Sequence, residues 1–329
     1  MGLNEKFFRS ADEDEPFFNT VLYTGNNSNK SITGVGFAPD LVWIKNRTNA
    51  NSHNLIDSVR GATKVIFSNA TNAESTRSDS LTSFDSDGFS LGNYVGVNGN
   101  HNYVAWCWKA GGAAVSNTDG DITSQVSANV ANGFSIVKYT GNGSGSEQTV
   151  GHGLGVKPEM VIIKDLDNVR DWFVYTDIID GSMDVLYLNK TDAKANSSRT
   201  SPTSSVYKIA GTTTLNKSNQ NFISYCFHSV AGVSKVGSFV GTGAAGKKIT
   251  LDFEPSWIIT KRTSTAGAGW AIIDNKRSTA SIKRDYLYAN TNGAEATSGS
   301  GITFNTDGFT FSGASFNTSG DTHIYYAIA

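Results

Sequence analysis

The apolar residues of this chain fall in short runs rich in Val, Ile, Phe, Tyr and Trp, separated by Gly, Asn, Asp and Ser. Lys247-Lys248-Ile249-Thr250-Leu251-Asp252-Phe253 alternates polar and apolar, the period of a strand with one wet and one buried face. Leu41–Ile44, Met160–Ile163 and Trp257–Ile259 are instead continuous apolar runs. No long stretch carries the 3.6-residue period of an amphipathic helix. Many short strands at close spacing, punctuated by turn residues, predict an all-β protein built as sandwiches or barrels.

The runs recur in a fixed order. A proline opens each of Phe37-Ala38-Pro39-Asp40-Leu41-Val42-Trp43-Ile44-Lys45, Val156-Lys157-Pro158-Glu159-Met160-Val161-Ile162-Ile163-Lys164 and Phe253-Glu254-Pro255-Ser256-Trp257-Ile258-Ile259-Thr260-Lys261. Proline is tolerated at the first residue of a strand, where no ladder donor is lost. Upstream lie Tyr23-Thr24-Gly25, Tyr139-Thr140-Gly141 and Phe239-Val240-Gly241. Downstream come segments ending on Asp57, Asp177 and Asp274, then runs ending on Asn69, Asn189 and Asn290. Ser86-Asp87-Gly88 returns as Thr306-Asp307-Gly308. Each copy closes on an aromatic strand: Tyr103–Trp108, Phe222–Phe227 and His323–Ile328. This predicts three tandem antiparallel β-sandwich domains of seven or eight strands each, over 16–113, 114–230 and 231–329, behind an arm at 1–15. Residues 121–130 are expected to add a strand to the second unit. The last aromatic strand reaches the final residues, which predicts no C-terminal tail.

Composition narrows the function classes. Of 329 residues 17% are charged, with a formal net charge of −2, so no electrostatic preference for nucleic acid or an anionic membrane is expected. No apolar run approaches the length of a membrane span. Met1–Pro16 lacks the apolar core of a signal peptide, which suggests synthesis and folding in a cytosol. The two cysteines, Cys107 and Cys226, hold the same repeat position in different copies. They are expected to be small core residues that do not bond to each other.

Candidate chemistry is sparse. Gly241-Thr242-Gly243-Ala244-Ala245-Gly246 fits the dinucleotide pattern literally. That chemistry needs a helix N-terminus next, and a strand follows instead, so a hairpin turn explains the glycines. Asp85-Ser86-Asp87-Gly88 and Asn305-Thr306-Asp307-Gly308 lack the late glutamate of a calcium loop and read as turns. None of His53, His101, His152, His228 and His323 forms a metal-ligand pair, and no two are repeat-equivalent. No nucleophile elbow is present, and the acids Asp57, Asp177 and Asp274 lie in separate copies, unlike the paired carboxylates of a glycosidase. No catalytic, cofactor or metal residue is therefore expected. Trp43 and Trp257 belong to core strands, and Trp106 and Trp108 share one face, more naturally buried than a binding platform. Trp172 and Trp270, just before the Asp landmarks, are the candidates for glycan or receptor binding. Phe7 and Phe8 in the N-terminal arm are candidates for docking onto a larger particle. Lys276, Arg277, Lys283 and Arg284 form the one local basic cluster, read as a solvated face.

Gly36–Arg47, Asp57-Ser58-Val59-Arg60-Gly61, Ser83–Phe89 and Tyr103–Gly112 together resemble a module of marine bacteriophage virion proteins. That module occurs in tail fibres and other surface structural proteins of phages of cyanobacteria and related marine bacteria. The likeness covers residues 17–140, weakens in the middle copy and returns in part near the C-terminus, with Asp274 and Arg277 echoing Asp57 and Arg60. The resemblance implies a lectin-like, jelly-roll sandwich fold and a virion component without catalytic residues, assembled in the host bacterial cytoplasm. It further implies a tail fibre or appendage that binds a host surface glycan or protein and contacts other virion proteins, with a capsid decoration or tail connector as the alternative. A homotrimer is expected from the fibre analogy. The copies share packing features and no evident polar constellation. The repeat is thus expected to report a scaffold, with any binding site in the loops of one copy.

Overall fold

The computed structural model describes residues 16–211 and 214–329. They form antiparallel sheets throughout, with one short helix at Val95–Asn98 and one 3-10 turn at Val130–Asn132.

Each copy centres on the same four strands. In the first they are ordered Phe18–Thr24, Asn102–Trp108, Leu41–Asn46, Asn54–Asp57. The second uses Phe134–Thr140, Asn221–Phe227, Met160–Asp165 and Phe173–Thr176, and the third Ser234–Val240, Thr322–Ile328, Trp257–Arg262 and Ala271–Asp274. The closing strand thus lies between the opening strand and the proline-led strand, and both are fixed by continuous register: Phe18↔Trp108↔Leu41, Phe134↔Phe227↔Met160, Ser234↔Ile328↔Trp257. The second copy adds Ser124–Asn129 beside its opening strand, where an extra strand was expected.

A second layer covers one face of each central sheet. It holds Lys30–Thr33, Gly88–Leu91 and Leu81–Asp85 in the first copy, and Gln148–Gly151 with Val206–Ile209 in the second. In the third, Ile282–Tyr288 and the ten-residue strand Ala296–Asn305 run on from the central sheet into the outer strands, so both layers belong to one eight-stranded sheet. The Asp-Gly landmarks are the tight turns of this layer, pairing Asp85 with Gly88 and Asn305 with Gly308. Glycine is required there: a Cβ on Gly88 would lie 1.9 Å from the carbonyl oxygen of Ile32, and one on Gly308 2.0 Å from that of Ile249.

One expectation of a separate core per copy accounts for only part of the packing. Three local clusters lie between central sheet and outer layer, holding for example Val42, Ile44, Ala105 and Cys107 with Ile32 and Phe89. A fourth cluster draws on all three copies, including Trp43, Trp106 and Trp108, Ile162, Tyr225 and Phe227, and Trp257, Ile259 and Tyr326. Alternate residues of the proline-led and closing strands therefore face a local core and the shared core in turn. Strands buried on both faces read as continuous apolar runs, which is why these runs did not alternate in the sequence. The shared core encloses a void of about 30 Å³ lined by side chains of every copy. Such a space stays dry, because water there would find no polar partner.

One further sequence expectation changes and one holds. Gly241–Gly246, expected to form a hairpin turn, does not close a hairpin, and neither do the matching loops Asn26–Asn29 and Gly141–Gly145. The strand before each loop pairs with the closing strand, and the strand after it joins the outer layer. They cross between layers. Cys107 and Cys226 do sit unpaired in separate local cores, and burial pushes the Cys226 thiol up to about 12 and that of Cys107 higher still, leaving neither as an available thiolate.

Candidate functional site

Register decides which residues are equivalent. Leu41 pairs with Asp57, Trp257 with Asp274, and Met160 with Thr176. Thr176, not Asp177, therefore matches the two aspartates. Asp177 lies one residue on and pairs with Lys157 at 2.7 Å. Four residues before each matched position stand His53, Trp172 and Trp270.

These three close the molecule. Trp172 Nε1 donates to the Phe67 carbonyl of the first copy at 2.9 Å, and Trp270 Nε1 to the Tyr187 carbonyl of the second at 2.9 Å. His53 Nε2 bonds the Tyr288 carbonyl of the third at 3.0 Å. His53 Nδ1 accepts from Trp43 Nε1 at 2.8 Å, so the proton resides on Nε2, and burial holds this imidazole well below the usual histidine pKa, as the neutral donor. Phe67, Tyr187 and Tyr288 are themselves equivalent. The copies thus bond first to third, second to first and third to second, a closed ring with pseudo-threefold symmetry. Backbone bonds repeat the same circuit: Glu74 N to Leu166 O, Lys194 N to Thr263 O and Glu295 N to Arg47 O.

This overturns the glycan assignment of Trp172 and Trp270. They are 0% and 1% exposed, their rings lie in the shared core, and their N–H groups are spent on neighbouring copies. Position beside a turn was a poor guide, because the surface it suggested is covered by another copy. Phe7 and Phe8, the docking candidates, lie outside the described residues. Arg277 leaves the basic cluster: its side chain is 0% exposed and pairs with Asp274 at 2.6 Å.

The copies do share polar groups, contrary to expectation. Asn69, Asn189 and Asn290 each accept, through Oδ1, the backbone N–H of His53, Trp172 or Trp270 at 2.8–2.9 Å. Lys45, Lys164 and Lys261 are all buried, and each ammonium donates to backbone carbonyls: Asn46 and Asn49, Asp165 and Asn168, Ala268 and Thr191. Burial lowers each to about 8. Asn98, Asn216 and Asn317 each receive, on Oδ1, the first N–H after the glycine that ends the opening strand. The lysines and Asn69, Asn189 and Asn290 stand within the repeated motifs. Asn98, Asn216 and Asn317 precede the closing strand by an uneven spacing that hides them. All nine satisfy backbone groups, and so hold the scaffold together.

A cavity of about 340 Å³ opens in the third copy, partly exposed to solvent. Its walls include Tyr286, Tyr288 and Phe316, then Ser298, Ser315 and Thr318, and Lys261, Arg262 and His323, with no acidic residue among them. Tyr286 meets Tyr288 at 4.9 Å and Phe316 at 5.4 Å, edge to face in both cases. Phe316 stands just before Asn317. The same position is Val97 in the first copy and Leu215 in the second, both 0% exposed in local cores. Phe316 is instead only partly buried, at φ +61°, a conformation a bulky side chain rarely adopts. His323 is 2% exposed, and its Nε2 has no hydrogen-bond partner. Its equivalents, Tyr103 and Phe222, are core side chains. Burial lowers His323 to about 4, with the nearby Asp321 carboxylate opposing the shift and Arg262 and Lys261 adding to it. Nothing in the chain's local pattern marks this site, because its residues come from distant strands and two loops, Gly267–Gly269 and Ala314–Thr318.

The chain belongs to the family described as a domain of unknown function, DUF7483, which its residues 13–329 match. No curated protein and no solved structure matches it.

Proposed function

We propose that this DUF7483 protein is a non-enzymatic structural component of a bacteriophage virion, a tail-fibre or appendage piece that binds the host cell surface. Each copy would then be a lectin-like jelly-roll sandwich. The observation that supports this reading most is the ring closure. Three sandwich-like units with their central faces locked on one shared core make a rigid body whose outward surface is mostly outer layer and loops. Such a body suits repeated contact with a surface. Buried Asp57, Arg60, Asp274 and Arg277 are committed to two of the seams, as a scaffold requires. A homotrimer of this chain would have to assemble through outer surfaces, since the central faces are already covered.

Two measurements test the proposal. Labelled antibody against the protein should mark a tail appendage on intact particles in electron micrographs, and the purified full chain should bind host cells in a sedimentation assay. Absence from the particle ends the proposal. Capsid labelling without cell binding would give the decoration or connector role instead.

A further inference from the structure

We propose that the cavity of the third copy binds an anionic saccharide, with Arg262 facing its carboxylate and Tyr286, Tyr288 and Phe316 supplying contacts to the sugar rings. The proposal assigns a receptor chemistry to the attachment reading and rests on that reading for its biological meaning.

The first argument is the departure from symmetry. In two copies the residue before the shared asparagine is fully buried in a local core; in the third the largest of the three, Phe316, packs against its local core while only partly buried, holds φ +61° and lines the cavity. Such conformations cost on the order of 1–3 kcal/mol and gather at functional sites. The second is size: about 340 Å³ lies within the range of small-ligand sites. The third is charge. Lys261 and Arg262 line the cavity and no carboxylate does. The Lys261 ammonium is spent on the Ala268 and Thr191 carbonyls. Arg262 is less fully committed: one terminal nitrogen bonds the Ala266 carbonyl at 2.7 Å, the other makes a long 3.4 Å ion pair with Asp321, and Nε has no partner. A carboxylate is the group a guanidinium pairs with best. The fourth is the mixture of walls. Three aromatic residues beside two serines and a threonine, with a buried His323 whose Nε2 has no partner, match a molecule with apolar C–H faces and several hydroxyls, which describes a sugar better than a lipid or a bare inorganic anion.

The test uses the full chain and two probes of equal size, digalacturonate and its methyl ester, titrated by calorimetry. The acid should bind about tenfold or more tightly than the ester. Arg262→Gln should bring that ratio to about one, while Arg262→Lys keeps part of it. Phe316→Ala should weaken both probes. Melting curves establish that each variant is folded; if Arg262→Gln does not fold, the acid-to-ester ratio of the unaltered protein still decides. No binding of digalacturonate, no preference over the ester, or equal displacement by inorganic phosphate at the same concentration would overturn the proposal. Cell sedimentation separates the two readings. Unchanged cell binding by Arg262→Gln sinks the cavity assignment and leaves attachment standing. Arg262-dependent binding of the acid by a protein that binds no cells sinks attachment alone.

Discussion

At the seam between the first and second copies, Tyr225 donates to Asp57 at 2.8 Å, and Asp57 holds Arg60, which also reaches Glu74. At the seam between the third and first, Trp106 donates to Asp274 at 3.0 Å, and Asp274 holds Arg277, which reaches Glu295. Among the described residues, the seam between second and third copies has none of this. Thr176 and Ile179 replace the aspartate and arginine. Thr176 bonds the Glu159 carbonyl of its own copy, and the Tyr326 hydroxyl, buried with Ser234 nearby, has no well-formed partner. Yet this seam keeps the Trp270 bond and the Lys194 backbone bond. The comparison teaches that closure depends on apolar burial and on backbone acceptors, while the buried ion pair is an addition. Buried pairs often contribute little net stability, because the desolvation of two charges offsets their attraction. The middle copy even reverses the neighbouring charges: where Lys64 faces Glu74, Asp184 faces Lys194.

The largest effect should come from breaking a pair. Arg277→Met leaves Asp274 buried and uncompensated, and urea unfolding should show a loss of about 3–5 kcal/mol. The double change Asp274→Thr with Arg277→Ile copies the middle seam and should recover most of that loss. If the double variant is no more stable than the single, the pair is required for closure and the comparison is wrong.

Smaller effects distinguish the hydroxyls. Tyr225→Phe removes a hydrogen bond to a carboxylate and should cost about 1.5–3 kcal/mol. Tyr326→Phe removes a buried hydroxyl without a partner and should be neutral or stabilising in the same assay. A substantial loss for Tyr326→Phe would reveal a bond at the third seam.

The smallest effects are in the pH dependence. Lys45, Lys164 and Lys261 sit near 8 in the folded chain, against 10.5 for an ordinary lysine. Between those values the unfolded chain binds more protons, so stability should rise from pH 8 to 10, by at most about 1.4 kcal/mol per pH unit for each lysine. Lys164→Met should flatten that rise. His152 and His323 are near 4 and His53 well below 6.5. Their contribution is complete above 6.5 and should be lost as pH falls toward 4. His53→Gln should reduce that acid slope, whereas the Trp172 and Trp270 seams have no such proton to gain. Urea midpoints across the pH series give both slopes.

The repeat, the all-β class and the strands were legible because each depends on local pattern: an entrance proline, a β-branched run, an Asp-Gly turn. The buried lysines and Asn69, Asn189 and Asn290 stood in plain sight within the repeated motifs, but their partners are backbone carbonyls and N–H groups that leave no mark on composition. Asp177 was misaligned because a one-residue difference between copies can be placed only by strand register. Trp172 and Trp270 looked like surface residues because their cover comes from another copy, 105 and 83 positions away in sequence.

By itself the sequence determined three copies of one strand pattern, each with more apolar surface than a two-layer sandwich can hide. Tertiary structure alone decided where the surplus went. The third layer for each copy is the other two, met head to tail, because a ring of three can bury three central faces without leaving one exposed. It also decided that Phe316, only partly buried against the local core of the third copy, lines a cavity assembled from distant segments of that copy.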